Sequence, residues 1–244
     1  MARQLYDYWF VQFDFPDKNG RPYKSSGGKM FWNEKLKREI PEGWSNTNIE
    51  NYAEVVNGAT PSTAEPLNYG GEIIWITPKD LSDQAQKFVF NGERSITKLG
   101  YDSCSTSMLP KGTVLMSSRA PIGLLAIASV PLCTNQGFKS FVPKNEDCGP
   151  FLYYLINENL PYIKQLGTGT TFSEVSREDI NKLHLLLIPE IIINQWNKVI
   201  SGIFNKQEEL IKEIENLIEV RNTLLPLLMN GQVSVKQTEI NCDL

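Results

Sequence analysis

The chain has 244 residues, 24 of them Lys or Arg and 28 Asp or Glu, for a formal charge of −4. With 41% hydrophobic and 10% aromatic side chains it can bury a core, which excludes a disordered chain. Four cysteines (Cys104, Cys133, Cys148, Cys242) with no Cys-x-x-Cys pair, beside a single histidine, His184, exclude a zinc framework and a disulfide scaffold. No secretory signal is visible and no apolar run approaches the roughly 20 residues of a membrane span, so the expected location is the cytoplasm. Residues 1–183 hold 19 basic and 20 acidic side chains, residues 184–244 hold 5 and 8. The acidity therefore lies in the C-terminal part, and composition alone gives no support for nucleic-acid binding.

In chain order, Arg3 to Phe10 reads as a short helix or an aromatic packing strip. Asp14 to Gly28 is loaded with turn formers and is expected to be irregular. Residues 1–40 are thus read as a linker with a short helix. Ile40-Pro-Glu-Gly-Trp44 looks like the entry to a compact domain spanning 41–189. Within it, short apolar runs bounded by Gly, Pro, Asn and Ser are strand candidates: Glu72–Thr77, Thr113–Ser117, Leu124–Ala128, Lys139–Val142 and His184–Ile188. Phe151 to Leu166 has apolar residues at helical spacing and is expected to be a helix interrupted near Pro161. From 190 to 232 the chain turns helical, about 60 Å if straight, with Pro226 expected to kink or loosen its last turns. A flexible tail, 233–244, follows. The predicted class is α+β: one globular domain of short strands and helices with a long C-terminal helix.

That helix carries a nearly unbroken heptad repeat. Ile203, Gln207, Leu210, Ile214, Leu217, Arg221, Leu224 and Leu228 are spaced alternately four and three residues apart, and Phe204, Ile211, Ile218 and Leu225 widen the stripe. Side chains so spaced form a coiled-coil seam. The opposite face, with Lys206, Glu208, Glu209, Lys212, Glu213, Glu215 and Glu219, belongs in water. The plainer alternative is an amphipathic helix packed on its own domain. The expected dimerisation residues are Ile203, Gln207, Leu210, Ile214, Leu217, Leu224 and Leu228.

Searches for catalytic motifs return nothing. There is no Pro-Pro pair, hence no Asn/Asp-Pro-Pro-aromatic motif of amino-methyltransferases, and no acidic residue stands two before a lysine as in many metal nucleases. No P-loop is present either. His184, inside a leucine run, reads as a strand residue. What remains is four polar loops beside strands: Trp75–Asp80, Ser117–Gly123, Thr134–Lys139 and Gly167–Phe172. Their Arg, Lys, Asn, Gln, Ser and Thr side chains are the types that hold phosphates or read base edges, although each loop singly fits ordinary turn chemistry. The candidate DNA-binding residues are Thr77, Lys79, Ser118, Arg119, Asn135, Gln136, Lys139 and Thr170. Arg119 and Lys139 suit phosphate or guanine, Asn135 and Gln136 adenine. No catalytic residue, metal ligand or cofactor is expected.

An ordered series of segments resembles the DNA-specificity subunit of type I restriction–modification enzymes. Trp75–Leu81 resembles that family's early strand and turn. Gly112–Gly123 followed by Asn135–Lys139 resembles its central pair of motifs. Gly167–Ser176 with Ile188-Pro189 resembles the hinge before its helix, and Arg221–Ser234 resembles the end of its helical region. The resemblance implies a non-catalytic subunit that binds double-stranded DNA and directs methylation subunits, and through the complex a restriction/translocase subunit, to a bipartite target. The family's full subunit has two recognition domains and two antiparallel helices, whereas this chain has one of each. Its opening resembles the linker after the first helix, so it looks like the second half of such a subunit, either a natural half or a cut-down one. The missing helix would then come from another chain, with self-association into a homodimer as the expectation. The alternatives are a protein-interaction module that dimerises through its coiled coil without reading DNA, and a small hydrolase or nuclease with an unfamiliar active site.

Overall fold

The computed structural model describes residues 1–84, 86–167 and 174–233. Helix α1 (Ala2–Tyr6) continues into a π-helical turn through Val11. A hairpin follows, β1 (Met30–Asn33) with β2 (Arg38–Pro41), and then β3 (Ser45–Thr47) and β4 (Ala53–Asn57). Next come β5 (Tyr69–Ile76), α2 (Pro78–Gln84), β6 (Phe88–Val89), β7 (Arg94–Ile96) and α3 (Lys98–Asp102). Strands β8 (Val114–Ser117), β9 (Leu125–Ala128), β10 (Cys133–Thr134) and β11 (Phe138–Pro143) complete the central part. The chain ends with α4 (Gly149–Leu166), α5 (Arg177–Asn181), β12 (Leu185–Leu187) and α6 (Glu190–Met229).

Five strands form the main sheet in the order β4-β11-β8-β9-β6, antiparallel except for the β9–β6 edge. A three-stranded sheet, β10-β5-β7, lies beside it, and β12 pairs with β3. Every residue of β8 is buried, so this strand is covered on both faces and reads as a continuous apolar run rather than an alternation. One face supplies Leu115, Ala126, Ala128 and Phe138 to a core shared with Ile76, Leu81, Val89, Leu109 and Leu132. Helix α4 packs along β8 and β9 and buries Phe151, Leu152, Leu155, Ile156 and Ile163, the helical spacing read from the sequence.

Three expectations change. Helix α4 runs through Pro161 without interruption. Pro161 lies on the exposed side, where water can satisfy the carbonyl that loses its N–H partner. The opening 40 residues, read as a linker, belong to the globular part: Tyr6, Trp9, Phe10, Phe13 and Phe15 are all buried. The first compact unit spans Met1–Asn205 and the second Lys206–Leu244, so the boundary falls inside α6 rather than at 189/190. The reason is an aromatic nest. Trp196 is fully buried, with ring centroids 5.9 Å from Tyr6, Phe10 and Tyr154 and 6.5 Å from Phe151. Phe204 closes it against Tyr154 and Phe88.

In the second unit the helical residues Leu210, Ile214, Leu217, Leu224 and Leu228 are exposed. Ile203, half-buried, belongs to the first unit. No described helix is long and apolar enough to cross a membrane.

Candidate nucleic-acid interface

The register of the strands gathers the polar loops at one end of the sheets. Lys139 at the start of β11 stands opposite Asn57 at the end of β4, and Phe138 stands opposite Ser117 at the end of β8. Thr134, the end of β10, is level with Ile76, the end of β5. Loops leaving β4, β5, β8 and β10 therefore emerge side by side. Backbone hydrogen bonds lock them together: Ala59 donates to the Thr134 carbonyl at 3.0 Å, Asn135 to Ile76 at 3.0 Å, and Ser118 to Gly137 at 2.8 Å.

Two glycines make the close approach possible. A Cβ at Gly58 would sit 2.1 Å from the Asn135 carbonyl oxygen and 2.3 Å from that of Thr134. A Cβ at Gly137 would sit 2.9 Å from the Pro78 ring. Both contacts are too short for any side chain.

Each sequence candidate can now be placed. Thr77 precedes α2 in a capping arrangement: its N–H and its hydroxyl both donate to Asp80 Oδ2 at 2.7 Å. Asp80, buried, also accepts the Glu93 N–H at 2.7 Å, so its carboxylate ties the loop together. Lys79 is exposed and paired with Glu93 at 2.7 Å; that hydrogen bond raises the ammonium pKa. Asn135 is half-buried and its Oδ1 accepts from the Gly137 N–H at 2.9 Å. Gln136 is exposed, with its Oε1 receiving the Thr60 hydroxyl. Arg119 is exposed and Lys139 buried, and both reach Glu174. Ser118 is fully buried, and its hydroxyl has no hydrogen-bond partner among the described residues. Thr170 lies outside the described residues.

The fold thus assembles Thr77, Ser118, Arg119, Asn135, Gln136 and Lys139 along one edge, with Lys79 on the first turn of α2 beside it. Ser118 and Lys139, read from sequence as contact residues, are interior. Ser118, immediately after β8, and Lys139, within β11, are both covered by their neighbours. Sequence reasoning missed Gly58, Thr60, Asp80 and Glu174. The first two leave β4, which lacked a long apolar run to mark it. Asp80 had a local signal, since Thr-x-x-Asp before a helix is a capping spacing. Among the described residues no group of three His, Cys, Asp or Glu is placed to hold a metal ion.

The model of the type I restriction modification DNA specificity domain matches residues 41–220, the span that contains this edge and most of α6. The chain belongs to that family. It is 39% identical over 163 residues to the type I restriction enzyme MjaIX specificity subunit of Methanocaldococcus jannaschii, covering 64% of this chain and 38% of that protein. It is 27% identical over 197 residues to the HindI specificity subunit of Haemophilus influenzae, 80% of this chain and 42% of that one. The chain thus spans less than half the length of these curated relatives. The fold is that of the type I restriction–modification S subunit from M. genitalium, at a TM-score of 0.52 and 15% identity over 75% of this chain and 45% of that one.

Proposed function

We propose that this specificity-family chain is a non-catalytic reader of DNA sequence that directs separate methylation and restriction subunits to their target. The observation that supports this most is the shared edge of four loops. Hydroxyl, amide and guanidinium groups from sequence-distant strands are held there by main-chain bonds, as a base-reading surface requires. Thr77, Lys79, Arg119, Asn135 and Gln136 are the groups within reach of DNA. Thr170, outside the described residues, remains a candidate.

The proposal extends to symmetry. The exposed stripe Leu210, Ile214, Leu217, Leu224 and Leu228, with Ile203 and Gln207 at its start, supports pairing with a second copy through antiparallel helices. Two identical chains would recognise inverted half-sites separated by an unread gap. Methylation mapping in cells that co-express the chain with cognate modification subunits tests this reading. A bipartite, twofold-symmetric motif is expected, and its loss on deleting the chain. An asymmetric motif would replace the homodimer with a different partner half, and a motif unaffected by the deletion would remove the DNA-reading role.

The same exposed stripe favours a second reading, a protein-interaction module that dimerises without reading DNA. Salt titration of DNA binding separates the two, since phosphate contacts make affinity fall steeply with salt.

A further inference from the structure

Two cations and one carboxylate meet behind the loop that follows β8. Glu174 receives the Arg119 Nε–H on Oε2 at 2.9 Å and the Lys139 ammonium on Oε1 at 3.3 Å. Access differs widely among the three: Lys139 retains 7% of its side-chain surface, Glu174 32% and Arg119 49%. The backbone holds them in register, because Arg119 and Glu174 are bridge partners and the Val175 N–H donates to the Ser118 carbonyl at 2.9 Å. Pairing through Nε uses the inner edge of the guanidinium. Among the described residues, neither terminal nitrogen of Arg119 has a hydrogen-bond partner, so two in-plane donors are left.

The geometry points to Arg119 as a guanine reader, held in its reading posture by Glu174, with buried Lys139 anchoring that carboxylate. This rests on the loop edge being the DNA-contacting surface. A phosphate contact needs charge at short range and little direction, and a carboxylate 2.9 Å from Nε gives an arginine no advantage for it. A base edge needs direction. Guanine presents O6 and N7 as two adjacent acceptors in the major groove, and a guanidinium turned with both terminal nitrogens toward them makes the bidentate contact in a fixed, planar geometry. A side chain already oriented loses less freedom on binding. The cluster keeps one net positive charge, two cations against one carboxylate, so the outward fork remains a strong donor. Lys139 leaves the set of groups that touch DNA. Glu174 enters the account as a positioning residue.

The test uses the complex of this chain with its modification subunits, mapped for methylated motifs in cells with wild type, R119A, R119K, E174Q and E174A. The wild-type motif is expected to contain a guanine in each half-site. R119A and both Glu174 variants should relax that one position, and R119K, which keeps donors but lacks the planar fork, should relax it less than R119A. The R119A/E174A double variant should be no worse than R119A. The positions that stay specified report that each variant is folded.

In vitro, 7-deazaguanine at the relaxed position, which lacks the N7 acceptor, should weaken wild-type binding roughly 5- to 150-fold and leave R119A binding unchanged. If both Glu174 variants abolish methylation, the same substitution tested with wild type and R119A decides. R119A, left with no donor at that place, should lose the sensitivity, and an equal response in both overturns the assignment. A motif without guanine, or one unchanged in the Glu174 variants, also overturns it. So does an R119A loss that is uniform across sequences with a salt slope lower by about one, which would place Arg119 on a phosphate. A wild-type complex that binds all sequences equally would refute the DNA-reading role itself, a different failure from these.

Discussion

Replacing Leu210, Ile214 and Leu217 by aspartate is the sharpest perturbation of the proposed pairing. In the single chain these side chains are 45%, 47% and 60% exposed, so the helix itself shields about half of each. Fully burying a Leu or Ile is worth about 1.5–3 kcal/mol, and burying the remaining half roughly 1 kcal/mol. Six such side chains across two chains contribute about 6 kcal/mol, or roughly four powers of ten in the dissociation constant. Aspartates at a seam add desolvation and like-charge costs in the same direction. Equilibrium sedimentation at micromolar concentrations should therefore show wild-type dimers and triple-variant monomers. The variants lie beyond Asn205, outside the first compact unit, so the thermal transition of that unit should be retained. A triple variant whose dimer constant stays within tenfold of wild type would refute the seam as the contact.

Three other outcomes follow from the packing. Trp196→Ala should destabilise the first unit by about 3–5 kcal/mol in urea unfolding. Trp196→Phe should cost less, because the indole N–H it removes has no hydrogen-bond partner among the described residues; a loss under 1 kcal/mol for alanine would show that this end of α6 is not part of the core. Gly58→Ala drives a Cβ into two carbonyl oxygens and should cost about 1–3 kcal/mol of stability, together with DNA binding, while Gly202→Ala, with open space at its Cβ, should be neutral or mildly stabilising. The Asp179 carboxyl is held below the ordinary carboxylate range by the Ser176 hydroxyl and N–H in a capping box. A depressed folded-state pKa contributes stability above the unfolded value near 4 that is lost as pH falls through the folded value. Ser176→Ala should cost about 1 kcal/mol at pH 7 and flatten the stability profile below pH 4, and an unchanged acid profile would count against the box.

Much of this protein is legible in its residue pattern. The strands β5, β8, β9 and β11 and the helix α4 stand where apolar runs and helical spacing put them, because backbone periodicity acts locally. The seam of α6 is equally local, a repeat of three and four that any helix would display on one face. What the pattern leaves open depends on neighbours far along the chain. Aromatic residues of the opening segment look like a linker until α4 and Trp196 close over Tyr6 and Phe10. Lys139 looks like a surface cation, yet β11 lies between β4 and β8, and its ammonium ends on Glu174 instead of in solvent. Gly58 and Thr60 carry no signal of their own. They matter because β4 pairs with β11 in a register that brings them against Asn135 and Gln136. Local sequence sets which elements form, and long-range pairing decides which polar groups remain free to meet a ligand, since burial and hydrogen-bond satisfaction belong to the assembled fold.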